Sequence, residues 1–139
     1  MRGHLILRVV SKILIPFLLM FALYVQFHGD FGPGGGFQAG VIVAAAFVLY
    51  ALIFGLRAMQ KIISPALLEI AVPLGVLIYA GVGVYTWILG GNFLDYNMLD
   101  SHDPSHGQHL GVLLVEAGVL LTVSSTMLLI FYTFAGRGR

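Results

Sequence analysis

Four apolar runs, each near the ~20 residues that carry a helix across a hydrocarbon core about 30 Å thick, constrain this chain more than any other feature. They lie at about residues 5–27, 36–56, 66–89 and 110–134. Inside lipid a backbone amide or carbonyl has no water to bond, so each run must pair its polar groups internally, as a helix does. The expected fold is an all-α integral membrane protein of four transmembrane helices, with residues 1–139 forming a single membrane domain. Only 9% of the residues are charged, where soluble chains carry about 25%, so most of the surface is expected to face lipid. A formal charge of +1 excludes the basic footprint that nucleic acid requires. Without cysteine there are no disulfides, no thiolate metal ligands and no thiol nucleophile. The first run lacks a small-residue cleavage pattern and therefore reads as a retained span.

The basic residues set the orientation. Arg2, Arg8 and Lys12 open the first run, Arg57 and Lys61 separate the second from the third, and Arg137 and Arg139 end the chain. With successive spans antiparallel, all of them fall on one side, and the retention of Lys and Arg in cytoplasmic loops marks that side as the inner one. The other side carries Asp30, Asp95, Asp100 and Asp103 and no basic residue. Both termini are thus expected in the cytoplasm. Tyr24, Tyr85 and Trp87 are expected toward the outer interface and Tyr132 toward the inner one, where amphipathic rings are favoured. Ser64-Pro65 predicts a capped helix start, with proline at the position where its missing donor costs nothing.

Between the first two runs stands a glycine-dense stretch, His28 to Gly40. Glycine and proline this dense end a helix, so the chain must turn there. No strand precedes it and no Lys-Ser/Thr pair follows it, so it is not a phosphate-binding loop. It is expected to pack the first two helices as a tight antiparallel hairpin, with Phe37 anchoring the turn. His28 and Asp30 stand at its outer mouth, either gathering protons or capping the loop.

Small residues recur at Gly36, Gly40, Ala44, Ala51 and Gly55 in the second run, and at Gly107, Gly111, Gly118, Thr122 and Ser125 in the fourth. Both stripes are expected to be close helix contacts. Glu116 lies two turns inside the fourth run, on the face it shares with His109 and away from that stripe. Such a group needs a cavity, a basic partner or another subunit, or else is protonated and bonded to a carbonyl. Glu69 lies one turn into the third run. Pro73 cannot donate to the carbonyl of residue 69, so a carboxylate and a main-chain oxygen there suit a hard cation; the alternative is pairing with Lys61. Pro16 similarly frees the carbonyl of Lys12. His102, His106 and His109 have zinc-compatible spacing only on a helix, and Pro104 and Gly107 argue against one, so no metal site and no cofactor are expected.

Pro33-Gly34-Gly35-Gly36-Phe37-Gln38, placed between two membrane runs, resembles the signature of the MnhB family, small subunits of the Mrp-type (Mnh-type) multisubunit Na⁺/H⁺ antiporters. This chain continues Ala39-Gly40 where that pattern has two glycines. The resemblance covers nearly the whole chain and extends to subunits of membrane-bound hydrogenase-type complexes. It implies a small subunit in the cell membrane, not an enzyme by itself, that assembles with other membrane subunits and takes part in Na⁺ export in exchange for H⁺. It assigns no functional residues: Glu116, Glu69, His28, Asp30 and His109 are nominated on the chemistry above. The alternatives are a purely structural scaffold subunit of that complex and the equivalent subunit of a membrane-bound hydrogenase-type redox complex. A small multidrug transporter is disfavoured, because the first run carries no acidic residue.

Overall fold

A computed structural model describes residues 3–29 and 31–137. Its helices are α1 (Leu5–His28), α2 (Gly36–Phe54), α3 (Leu56–Ile62), α4 (Pro65–Ile88) and α5 (Pro104–Ala135), with a single 3-10 turn at Tyr96–Leu99 before α5. Four of them, α1, α2, α4 and α5, are long and apolar enough to cross a membrane.

Local chemistry explains most of the ends. The second run stops short of residue 56 because Gly55 adopts φ +100°, a backbone that side chains rarely allow, and its amide closes α2 by bonding Ala51 O at 2.9 Å. The chain then starts α3, which carries Arg57 and Lys61 on its exposed side and buries Met59 completely. Ser64 Oγ accepts the amide of Leu67 at 3.2 Å and caps α4 ahead of Pro65. Both proline-bearing spans run on through their prolines, Pro16 in α1 and Pro73 in α4.

The largest departure from expectation is the start of α5, which begins at Pro104 rather than near residue 110. Pro104 is not a breaker there. It occupies the first turn, and the carboxylate of Asp103 accepts the amides of Ser105 at 3.0 Å and His106 at 3.3 Å. At 1.5 Å per residue the 32 residues of α5 run about 48 Å, several turns longer than a hydrocarbon core. His106 and His109 are therefore helical, which removes the objection that Pro104 and Gly107 raise to a metal site. Even so, among the described residues no three ligating side chains converge, and His106 Nδ1 lies 3.1 Å from Asp100 Oδ2 instead.

Asp100 organises this outer connection. It accepts the amides of His102 at 2.9 Å and Asp103 at 3.2 Å, and these bonds, with His106 beside it, hold its carboxyl below the ordinary carboxylate value. Because the ionised form makes the bonds, the loop is fully ordered above that ordinary value and loosens only as pH falls through the lower, folded one. Hydrogen exchange at the amides of His102 and Asp103 should accelerate over that acid range, and Asp100→Ala should give the fast exchange already at neutral pH.

The spans pack in the order α1, α2, α5, α4, with the chain's second and last spans in the middle. In the most apolar stretch of α2, 33% of residues are buried, against 17% in α1 and α4, which leaves those two helices facing outward over most of their surface. Arg8 and Lys12 stand 5.6 and 5.8 Å from the Phe54 ring, joining the start of α1 to the end of α2. Tyr132 Oη donates to Ile63 O at 2.8 Å, joining the end of α5 to the start of α4. Tyr132, in the last turns of α5, is buried in a cluster with Ala51, Met59, Leu68 and Leu128. The described basic residues on α1, α3 and the end of α5 gather at one end of the bundle, and Asp95, Asp100 and Asp103 lie at the other.

The α4–α5 crossing is very close. A Cβ at Gly75 would lie 2.5 Å from Gly118 O and collide with Thr122, and one at Gly118 would lie 2.8 Å from Gly75 O. Thr122 Oγ1 donates across the crossing to Val72 O at 3.1 Å, satisfying its hydroxyl beside Pro73. Gly75 and Ala71, both buried on α4, are small contact residues that neither sequence stripe includes.

Candidate functional site

The glycine stretch folds back on α1. The amide of Phe31 bonds His28 O at 3.0 Å, and the amide of Gly35 bonds Val25 O at 3.3 Å. A Cβ at Gly34 would lie 2.7 Å from that same carbonyl, so the return strand of the turn lies flat on the last turns of α1. Gly35 then takes φ +133° and launches α2.

This turn delivers the start of α2 onto α5 at Glu116. A Cβ at Gly36 would overlap the main chain of Glu116, lying 2.9 Å from its carbonyl carbon and 3.0 Å from its Cα. The carboxylate itself sits against the turn. Ideal Cβ positions at Gly29 lie 3.0 and 3.1 Å from its two oxygens, and one at Gly35 lies 3.0 Å from Oε1. Glu116 is half-buried, with glycine backbone on two sides and the N-terminus of α2 beside it, where a negative charge is favoured. The turn and the carboxyl, separate features in the sequence, are one site.

The two faces of α5 are distinct, as helical periodicity requires, and Gly36 and Gly40 of α2 pack on the one that bears Glu116. A Cβ at Gly40 would lie 2.9 Å from Val123 Cβ and 3.0 Å from Leu120 O. Residues 116, 120 and 123 meet α2, while Gly118 and Thr122 meet α4. Ala44, one turn beyond Gly40, is buried in the cluster with Leu128. Gly107 and Gly111 touch the outer connection instead of a spanning helix: the Cβ position of Gly107 is 2.7 Å from Tyr96 O, and Gly111 faces the Tyr96 ring.

At the mouth, a row of rings joins α1 to α5. Tyr24 and His28 stack at 5.1 Å, His28 and Phe31 lie 6.3 Å apart, and Phe31 and His109 lie 5.4 Å apart. The two nominated histidines thus flank Phe31 at the end of the bundle that holds Glu116. Asp30 lies outside the described residues. Pro33, Phe37 and Gln38 are exposed on the turn.

Glu69 is elsewhere. It is exposed on α4 and makes no ion pair with Lys61 or any other described residue. Taking the Gly75–Gly118 crossing as level, it lies about 12 Å from Glu116 along the helix axes, at 1.5 Å per residue. Pro73, one turn on, is exposed on the same helix, as Pro16 is on α1.

One polar residue carries no mark in the sequence. Gln26 is 4% exposed, and neither its Oε1 nor its Nε2 has a hydrogen-bond partner among the described residues. Its signal is positional: it continues the buried stripe Ser11, Ile15, Ala22 of α1 toward the glycine turn.

The family model described as "Domain related to MnhB subunit of Na+/H+ antiporter" matches residues 6–129, from the start of α1 almost to the end of α5. The chain belongs to the MnhB family. Among relatives of this MnhB chain is the "Putative antiporter subunit mnhB2" of Staphylococcus haemolyticus strain JCSC1435, 32% identical over 133 residues and 94% of each chain. Proteins of the same description from Staphylococcus aureus strains Newman and JH1 are 30% identical over the same shares. In this MnhB chain the glycine signature is the turn that lies against Glu116.

Proposed function

We propose that this MnhB chain is the small subunit of a hetero-oligomeric cation/proton antiporter in the cell membrane and that it holds the Glu116 carboxyl on the ion route. Its termini lie in the cytoplasm, a reading supported by the basic residues gathered at one end of the bundle. Na⁺ leaves and H⁺ enters, with no cofactor. The observation that carries this reading is the placement of Glu116. An ionisable group in an apolar bundle is costly, and here glycine backbone closes around it at the end bearing the acidic loop. Protonated or paired with a cation, such a carboxyl can exchange one for the other. The outward faces of α1 and α4 are the surfaces for lipid and for the other membrane subunits. Glu69, exposed on α4, is the carboxyl placed to contribute from this chain to a route at an interface between subunits.

Gly36, Gly40, Gly75 and Gly118 make their close contacts inside the chain, so a scaffold role through glycine faces has lost its main surfaces. Glu116→Gln and Glu69→Gln in the assembled complex test the proposal by Na⁺-driven pH change in inverted membrane vesicles. Antiport surviving both changes, with assembly intact, would place the route elsewhere.

A further inference from the structure

Gln26 is the most anomalous group among the described residues. Buried amides are almost always bonded, because an amide removed from water keeps two donors and an acceptor to satisfy. Gln26 is 4% exposed and satisfies none of them within the described residues. It is not a surface residue whose partner is solvent.

Its place gives the missing partner a chemistry. A Cβ added at Gly29, the residue that caps α1 three positions later, would lie 3.0 and 3.1 Å from the two carboxylate oxygens of Glu116. Residues three apart on a helix have Cβ atoms about 5–6 Å from each other, so Gln26 stands one turn deeper than that carboxylate. A glutamine side chain on a helix leans back over the preceding turn, which here means over Ala22, a fully buried residue with only a methyl side chain. α1 packs against α2, whose buried residues include Ala39, Ala46 and Ile53. The carbonyl of Val25, beside Gln26, is bonded to the amide of Gly35. A metal cation would satisfy only Oε1 and leave the NH₂ group buried and unpaired. Water satisfies both ends.

We propose that Gln26 is a binding site for water one turn inward of Glu116, and that this water carries protons to and from the carboxyl. A protonated water gives one proton to the Glu116 carboxylate and is left as neutral water; the reverse step returns it. Gln26 stays neutral and orients the water, so it is a positioning residue. The inference rests on the reading of Glu116 as a route residue.

The test uses the assembled complex. Gln26→Leu keeps the volume and removes the amide, and should lower the antiport rate roughly tenfold to a hundredfold while leaving the half-saturating Na⁺ concentration unchanged. Gln26→Asn, which keeps an amide and leaves space for water, should recover part of the rate. Native-like transport by Gln26→Leu would overturn the proposal, and so would a raised half-saturating Na⁺ concentration at full maximal rate, which would make Gln26 a cation ligand. If Gln26→Leu fails to assemble, water-edited solid-state NMR on the native complex decides: rapid transfer from water to the Gln26 side-chain amide is expected, and none would refute it. Glu116→Gln in the same membranes separates the two ideas. Loss there with Gln26→Leu silent removes only the water site, whereas silence in both removes the route as well.

Discussion

Gly36→Ala should unseat α2 from α5 and destabilise the chain by up to about 3 kcal/mol, the upper part of the usual range for overpacking. One methyl suffices because its nearest neighbours are the carbonyl oxygen, carbonyl carbon and Cα of Glu116. Main-chain atoms cannot rotate aside as a side chain can, so a whole helix must move. The shift would also carry Glu116 away from Gly29 and Gly35, so assembly and transport should fall together. Two controls bracket the effect. At Gly32 an added Cβ meets only the His28 ring, at an ordinary 3.5 Å, and at Gly81 it meets nothing within 4 Å. Alanine at either should leave the thermal midpoint of the purified complex within a degree or two, by the usual scale for small domains. A Gly36→Ala complex as stable as those controls would show that the α2–α5 contact is looser than described.

Glu116→Gln should have the opposite signature, with assembly retained and antiport reduced by about tenfold or more, the equivalent of at least about 1.4 kcal/mol in the rate-limiting barrier. Glutamine has nearly the shape of glutamate and fits between the same two glycines. It cannot take up or release a proton in the physiological range, and it offers a cation no charge. Gly29→Ala gives an independent approach to the same oxygens. Its Cβ would press on both at 3.0 and 3.1 Å and lies 3.1 Å from Gly35 Cα, so a smaller loss of transport is expected from displacement of an intact carboxyl. If Glu116→Gln transports normally while Gly29→Ala does not, the turn matters for packing and the carboxyl does not matter for ions.

Run length alone is enough to find four spans, because continuous apolar runs of about 20 residues fit a helix across lipid and not the shorter, alternating strands of a barrel, and glycine density is enough to place the first turn. The boundaries that moved did so where one residue type has two meanings. Pro104 reads as a breaker in a loop and as a starter behind a capping Asp103, and Gly55 reads as one more small residue in a stripe until its positive φ ends the helix. Helical periodicity correctly divided α5 into two faces. It could not say which neighbour each face meets, since the order α1, α2, α5, α4 is decided by tertiary packing. For that reason the glycine turn and Glu116, 80 residues apart from Gly36, looked like unrelated features. Gln26 carries no signal in the sequence, since one amide in an apolar run makes no pattern; only its burial without a partner among the described residues distinguishes it.

The central claim, that Glu116 exchanges a proton for a cation beside the glycine turn, can be read from the carboxyl itself. Dicyclohexylcarbodiimide modifies protonated carboxyls in apolar surroundings, and the modified residue is located by mass spectrometry of the intact complex digested afterwards. Labelling at Glu116 that Na⁺ suppresses in a concentration-dependent manner, and that K⁺ at equal ionic strength does not, is the expected result. Absence of labelling at Glu116, or labelling indifferent to Na⁺, would contradict it.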